Sequence, residues 1–444
     1  MEVRYPMVGC PFARMSRQAS SSINGRMPAA TGQGRAARPE TCNVRATRAR
    51  REREPSNLPN PSQGVSLDAE KKGICMYDER PIKIEPVKPT AKADTFSSST
   101  ADTSGLDDLM DNVTFQMTEY EKPLPGLIHA VFSVQNYYFT DRIDRYLLFG
   151  PGGRSLFVDL GHPLLTGSEH LDMMLERADM PWESADVAAT HFHPDHVGNM
   201  QYFLNRGGKT VYHGPLHTMD DKACSDFAFA IGWPEATEAP ELWEGLTATL
   251  RYTTKGGYPE GTDAVELHTG DKFQVGGWDL AALETPGHAL EHICVADLGR
   301  KVLFAGDHII DAAPSIMQFG RHDHLLRKFM DTFPVLRKAE FETVYMSHHA
   351  PLFGKENINA FYDYMIAKFD KPLAKRMKIV EQLGSATVMD VAAAAQQSHG
   401  KFEELEFGMR VRRYAMTLSL LEYLSDTGSL KREEDAEGIL HYSL

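Results

Sequence analysis

Thr190-His191-Phe192-His193-Pro194-Asp195-His196 packs three imidazoles and a carboxylate into the six positions 191–196. Neutral imidazole and carboxylate are ligands for zinc, iron or manganese, and four such groups side by side are hard to satisfy by packing alone. The run therefore reads as a metal site. The preceding Ser184-Ala185-Asp186-Val187-Ala188-Ala189 reads as a strand of small residues running into a loop. His191 and His193 then leave the strand end on one side, while Asp195 and His196 turn towards a neighbouring position, so one run feeds two adjacent metals.

Further ligand types stand at the ends of other strand-like segments. Leu283-Glu284-Thr285-Pro286-Gly287-His288 supplies a histidine, and Val302-Leu303-Phe304-Ala305-Gly306-Asp307 an aspartate followed by His308. Val344-Tyr345-Met346-Ser347-His348-His349-Ala350-Pro351 offers two histidines, and Leu156-Phe157-Val158-Asp159-Leu160-Gly161 an early aspartate before glycine. Taken alone, Asp307 is also readable as a helix cap. Asp159 reads as an outer, structural group rather than a ligand. His292 falls in a strand and needs no special role.

The pattern His-x-His-x-Asp-His at 191–196 resembles the signature of the metallo-β-lactamase superfamily, and the remaining motifs follow in that family's order over residues 126–355. The resemblance implies an α/β fold, a four-layered αββα sandwich with the ligands at strand ends. It implies that His191, His193 and His288 hold one metal, that Asp195, His196 and His349 hold the second, and that Asp307 lies between them. His349 takes the place of the family's Gly-His-Gly-Pro histidine, with His348 at the glycine position. Two zinc ions are the implied cofactors, with iron or manganese also suited to the donor set. Two such cations generate a hydroxide at neutral pH and polarise a carbonyl or phosphoryl oxygen, and Asp195 is placed to orient that hydroxide. His193 stands where redox-active diiron relatives carry Glu, which favours hydrolysis.

The expectation is thus a hydrolase acting with a metal-bound hydroxide on a small carbonyl substrate of the thioester type. A mononuclear iron persulfide dioxygenase and an endoribonuclease of the same fold are the rival readings. The formal net charge of −14 over 444 residues argues against a nucleic-acid partner reached through bulk electrostatics. Arg410, Arg412 and Arg413 invite the opposite reading, but Glu403, Glu404 and Glu406 nearby make a solvated helix face the simpler one. The five cysteines, at 10, 42, 75, 224 and 294, form no Cys-x-x-Cys pair and outline no disulfide framework. No apolar run is long enough to cross a bilayer.

Residues 1–110 differ from the rest. The stretch to Glu54 is rich in Arg and Ser and poor in acids, a composition that does not fold alone and that resembles a plastid or mitochondrial transit peptide; 55–111 reads as linker. Residues 111–355 then form the metal-binding domain, with ordered structure from Leu124 and strands at 128–134, 145–149, 155–159, 277–283, 292–296 and 301–305. The segment 216–261, with Trp233 and Trp243, reads as an insert at the mouth of the site. Beyond residue 355 apolar residues recur at helical spacing, through Ile358, Phe361, Tyr362 and Met365 and later Val411, Tyr414, Leu418 and Leu421. A final hairpin at 428–442 completes a C-terminal domain, 356–444, with the outline of a winged helix.

Overall fold

A computed structural model of the chain describes residues 114–135, 140–253, 257–259, 261–310, 315–396 and 401–444. The readings made for residues 1–110 lie outside the described residues.

Two sheets form the middle of the molecule. The first runs β1 Thr114–Glu121, β2 Leu127–Gln135, β3 Arg142–Phe149, β4 Ser155–Val158, β5 Ala185–Ala189, β6 Thr210–His213 and β7 Asp263–Glu266, each beside the next. Its first four strands are antiparallel and its last four pair in parallel. The second contains β8 Lys272–Val275, β9 Trp278–Glu284, β10 Ile293–Asp297, β11 Val302–Phe304, β12 Thr343–Tyr345 and β13 Leu352–Phe353, again each beside the next.

Period-two alternation assigns the faces. In β3, Tyr146 and Leu148 point between the sheets, while Ile143 and Leu147 point outwards. In β10, Ile293 and Val295 face inwards and Cys294 and Ala296 outwards. The space between the sheets is filled by Leu127, Leu156, Val158, Trp278, Phe304 and Tyr345 among others. Helix α1, Glu169–Ala178, covers the outer face of the first sheet with Leu171, Met174 and Leu175. The insert contributes α2, Asp221–Ile231, and α3, Pro240–Thr253. Helices α4, Leu325–Ala339, and α5, Lys355–Ala367, cover the second sheet with Leu326, Phe329, Phe333, Phe361 and Met365. The αββα sandwich expected from the sequence is the observed architecture, and its outer helical layer continues past residue 355 through α5.

Helices α6 Asp370–Leu383, α7 Val388–Gln396 and α8 Phe407–Asp426 follow, with a three-stranded antiparallel sheet of β14 Ser385–Ala386, β16 Leu440–Ser443 and β15 Lys431–Glu434. Their apolar core is shared with the insert: Phe227, Ile231, Leu246 and Leu250 pack with Val388, Val391, Val411, Tyr414 and Leu418. The insert is thus mostly helical and is anchored on the C-terminal helices. Within this core Glu422 is fully buried, accepting from Tyr442 Oη (2.6 Å) and from Arg432 (2.7 Å). Glu422→Ala strands a buried hydroxyl and is expected to cost about 2 kcal/mol in chemical denaturation. Among the described residues no helix is long and apolar enough to cross a membrane.

Candidate metal centre

Every ligand-type residue singled out above leaves the C-terminal end of a strand or the turn beyond it. Strand β5 is entirely buried, as its small side chains allow, and ends at Ala189, just before Thr190. His191–His193 form the loop that follows, and Pro194–Val197 a single helical turn with proline at its start, where the missing N–H costs nothing. Thr285–His292 connects β9 to β10. Gly287 there lies so close to Phe329 that a Cβ would stand 2.6 Å from its ring. β11 runs into Gly306 (φ 51°) and Asp307, and β12 into Ser347 and His348.

Three imidazole nitrogens converge first. His193 Nδ1 lies 2.9 Å from His191 Nε2 and 2.9 Å from His288 Nε2. Beside them, His348 Nε2 is 3.2 Å from Asp195 Oδ2 and 3.3 Å from His196 Nε2. Asp307 joins the sets: Oδ2 is 3.5 Å from His288 Nε2, and Oδ1 is 3.4 Å from His196 Nε2 and 3.3 Å from His348 Nε2. The sequence-derived ligands thus come together in this order, with one exception treated below.

Outer hydrogen bonds fix which nitrogens face inwards. A carboxylate only accepts, so His196 Nδ1–H donates to Asp159 Oδ2 at 2.8 Å, and its Nε2 lone pair points at the acidic pair. A carbonyl only accepts, so His348 Nδ1–H donates to Arg142 O at 3.1 Å, again leaving Nε2 inward. Thr190 Oγ1 gives its proton to Asp159 (2.9 Å) and accepts from His191 Nδ1–H (3.1 Å). Asp159 holds all this together from a left-handed backbone conformation, φ 59°, which few non-glycine residues adopt. It orients Thr190 and His196 from outside the ligand sets.

The donor set fits divalent cations. His191 donates from Nδ1, so its Nε2 is a lone pair, and His193 Nδ1, 2.9 Å from both His191 Nε2 and His288 Nε2, cannot satisfy both contacts with neutral-ring protons. Asp307 Oδ1 is buried without a hydrogen-bond donor. Such groups are costly unless a cation completes them. Burial, then the neighbouring imidazoles His196 and His193, pushes His191 well below the ordinary histidine value. Burial and His193 push His288 down to about 3. Both are neutral and ligand-competent at pH 7. His196 moves the other way, up to about 9: burial opposes its charge, but Asp307, Asp159 and Asp195 outweigh it. His348 is likewise raised against burial, by Asp307 and Asp195. The second set therefore carries an excess of negative charge that a cation would neutralise.

His349 does not take the position the family pattern assigned to it. Its Nδ1 lies 2.8 Å from Ala350 O and its ring packs on Phe361 at 5.7 Å, whereas His348 faces Asp195, His196 and Asp307. The reason is a three-point attachment to β3: Tyr146 Oη donates to Met346 O (2.6 Å), Asp144 N donates to Ser347 O (2.8 Å) and His348 donates to Arg142 O. These bonds set the register of the strand end one residue earlier than the motif alignment placed it.

His308 is buried and packs on Phe329 and Phe333, donating to Thr332 Oγ1 at 2.7 Å. Burial depresses it to about 3, and it serves the outer helical layer. Two groups were missed by sequence reasoning. His292 accepts the Asp307 N–H at 3.2 Å, lies 2.8 Å from Thr285 Oγ1 and stacks on His191 at 5.1 Å, so it positions two ligands at once. Arg145 is buried under the ligand loop, donating to Asp144 O (2.7 Å) and to Asp195 O. Its signal was a guanidinium at the head of the apolar strand run Arg145-Tyr146-Leu147-Leu148-Phe149. Gly306→Ala is expected to disturb the centre, because a Cβ there would meet Thr190 Oγ1 at 2.7 Å and His292 Nε2 at 2.8 Å. The expected loss is about 2 kcal/mol in thermal unfolding, with reduced metal content.

Comparison with known proteins agrees with this architecture. Residues 132–348 match the family described as the metallo-beta-lactamase superfamily. The chain is 23% identical over 187 residues to a hydroxyacylglutathione hydrolase of Klebsiella pneumoniae, covering 42% of this chain and 54% of that protein. It is 26% identical over 127 residues to an acyl-coenzyme A thioesterase of Bos taurus, covering 29% of this chain and 42% of that protein. The chain thus spans about half the length of these curated relatives or less. In fold it is similar to a metallo-beta-lactamase family protein of Thermus thermophilus (TM-score 0.50, 20% identity, 72% of this chain and 99% of that one). A beta-lactamase domain protein of Burkholderia ambifaria is similar too (TM-score 0.53, 18% identity, 73% and 93%). The ligand motifs all fall within residues 132–348, the stretch that matches the metallo-β-lactamase superfamily.

Proposed function

We propose that the chain is a metal-dependent hydrolase of a small carbonyl substrate, of the thioester class. The observation that carries this reading is Asp307, whose two oxygens face the two ligand sets separately, Oδ2 towards His288 and Oδ1 towards His196 and His348. A pair of cations held there, zinc by choice of donors, would polarise a carbonyl oxygen and acidify water. The protein's own contribution is arrangement. His191, fully buried, and His193 and His288, partly so, offer neutral lone pairs. Asp159 and Arg142 O hold His196 and His348 in one tautomer. Arg145 fixes the backbone of Asp195 while its Oδ2 remains directed into the site.

The thioester reading draws on the two relatives, named for an acyl-glutathione and an acyl-coenzyme A substrate. The net charge of −14 fits a small substrate better than a polynucleotide. The test is elemental analysis of the purified protein followed by release of free thiol from S-acyl-glutathione and acyl-coenzyme A. Two zinc ions per chain with thiol release supports the proposal. Metal-loaded protein inert towards both, or one iron per chain, overturns it.

A further inference from the structure

Away from the metal centre, three arginines lack the carboxylates that normally accompany them. Arg376 on α6 and Arg410 and Arg413 on α8 each have a fully buried Nε with no hydrogen-bond partner. Arg410 and Arg413 are one helical turn apart and so share a face, and α6 packs against α8. Among the described residues none of the three forms an ion pair. Of the neighbouring charges, Glu403 and Glu406 are exposed and form no ion pair with these arginines among the described residues, and others are committed elsewhere. Glu404 pairs with Lys401 at 3.7 Å, Glu422 is bound to Arg432 and Tyr442, and Lys375 donates to Ala395 O at 2.7 Å. Arg410 also lies 5.4 Å from the Phe407 ring.

Like charges from two packed helices with buried, unsatisfied donors are unfavourable as they stand. Burial and the neighbouring Arg413 together press the Arg376 guanidinium below its ordinary value. In a chain of net charge −14, carboxylates are plentiful, so a basic cluster that pairs with none among the described residues is informative. Guanidinium groups present forked donors that match the oxygens of phosphate, and several forks carried by two packed helices suit a tetrahedral dianion better than one planar carboxylate.

We propose that Arg376, Arg410 and Arg413 form a binding site for a phosphate-type oxyanion, separate from the metal ligands. The anion is supplied either as inorganic phosphate or as the phosphate of a small organic molecule.

The experiment is calorimetric titration of the metal-loaded protein with inorganic phosphate and, separately, with adenosine diphosphate at fixed ionic strength. It is repeated on Arg376→Gln/Arg413→Gln and on the Lys counterpart, Arg376→Lys/Arg413→Lys. Saturable binding by the wild type is expected, about ten-fold or more weaker in the Gln variant and partly kept in the Lys variant. The phosphate-free melting temperature of the Gln variant should not fall, because like-charge repulsion is relieved. Tighter binding of one anion than the other identifies its source. No saturable binding, or equal affinity in wild type and Gln variant, as binding at the metal centre would give, overturns the proposal. So does retention of a single-stranded oligonucleotide that phosphate fails to displace, which would mark a nucleic-acid face instead. Should the double variant not fold, Arg413→Gln alone decides by the same comparison.

Discussion

His348→Ala is expected to lower turnover by about 10³-fold and to reduce the metal content, whereas His349→Ala is expected to leave both within a factor of about two. Only His348 places a nitrogen within 3.3 Å of Asp307 and 3.2 Å of Asp195. Removing it takes one of three donors from the second set and leaves two carboxylates, buried Asp307 and partly buried Asp195, facing a single imidazole, His196. The lost polarisation of the substrate is worth several kcal/mol, and about 4 kcal/mol corresponds to the thousand-fold expected. His349→Ala removes packing on Phe361 and should be felt as about 1 kcal/mol of stability instead. Metal analysis and thiol release on the two variants decide between them. Equal losses, or the reverse order, would sink the assignment of His348. His193→Ala serves as the positive control, because His193 Nδ1 touches both other members of the first set.

The contrast also shows which parts of the site can be read from sequence. Four ligand-type residues within 191–196 need no long-range information, since one strand end delivers them all. Asp307 and His288 were legible because each follows a strand and a glycine that admits close packing. The choice between two adjacent histidines was not legible. It is set by Tyr146, Asp144 and Arg142, some 200 residues earlier in the chain. Strand β1 escaped notice because, among its described side chains, Met117 alone is buried, so its edge position hides the apolar signal. Buried Arg145 and His292 are residue types normally assigned to solvent, and their partners are again non-local. The arginines of α8 were read against Glu403, Glu404 and Glu406. In the folded chain it is Arg376, from another helix, that matters to them.

Removing the metals is expected to destabilise the protein at every pH, and by more at about pH 9 than at about pH 6. In the metal-free chain His196 has its value raised to about 9, against about 6.5 when unfolded, because Asp307, Asp159 and Asp195 outweigh the cost of burial. A raised folded-state value means that protonation stabilises the native state. That contribution is complete below about pH 6.5 and is lost as pH rises through about 9, a change equivalent to about 3 kcal/mol. His348 is shifted in the same direction by Asp307 and Asp195 and adds to it. Metal-loaded protein behaves oppositely, because His196 and His348 must be unprotonated at Nε2 to bind, and acid competes with the cations. The gap in melting temperature between loaded and chelator-treated protein should therefore widen as pH increases across this window. Scanning calorimetry of both forms measures it. A gap that stays constant would mean that neither histidine exchanges its proton for metal, and with that the second ligand set would fall.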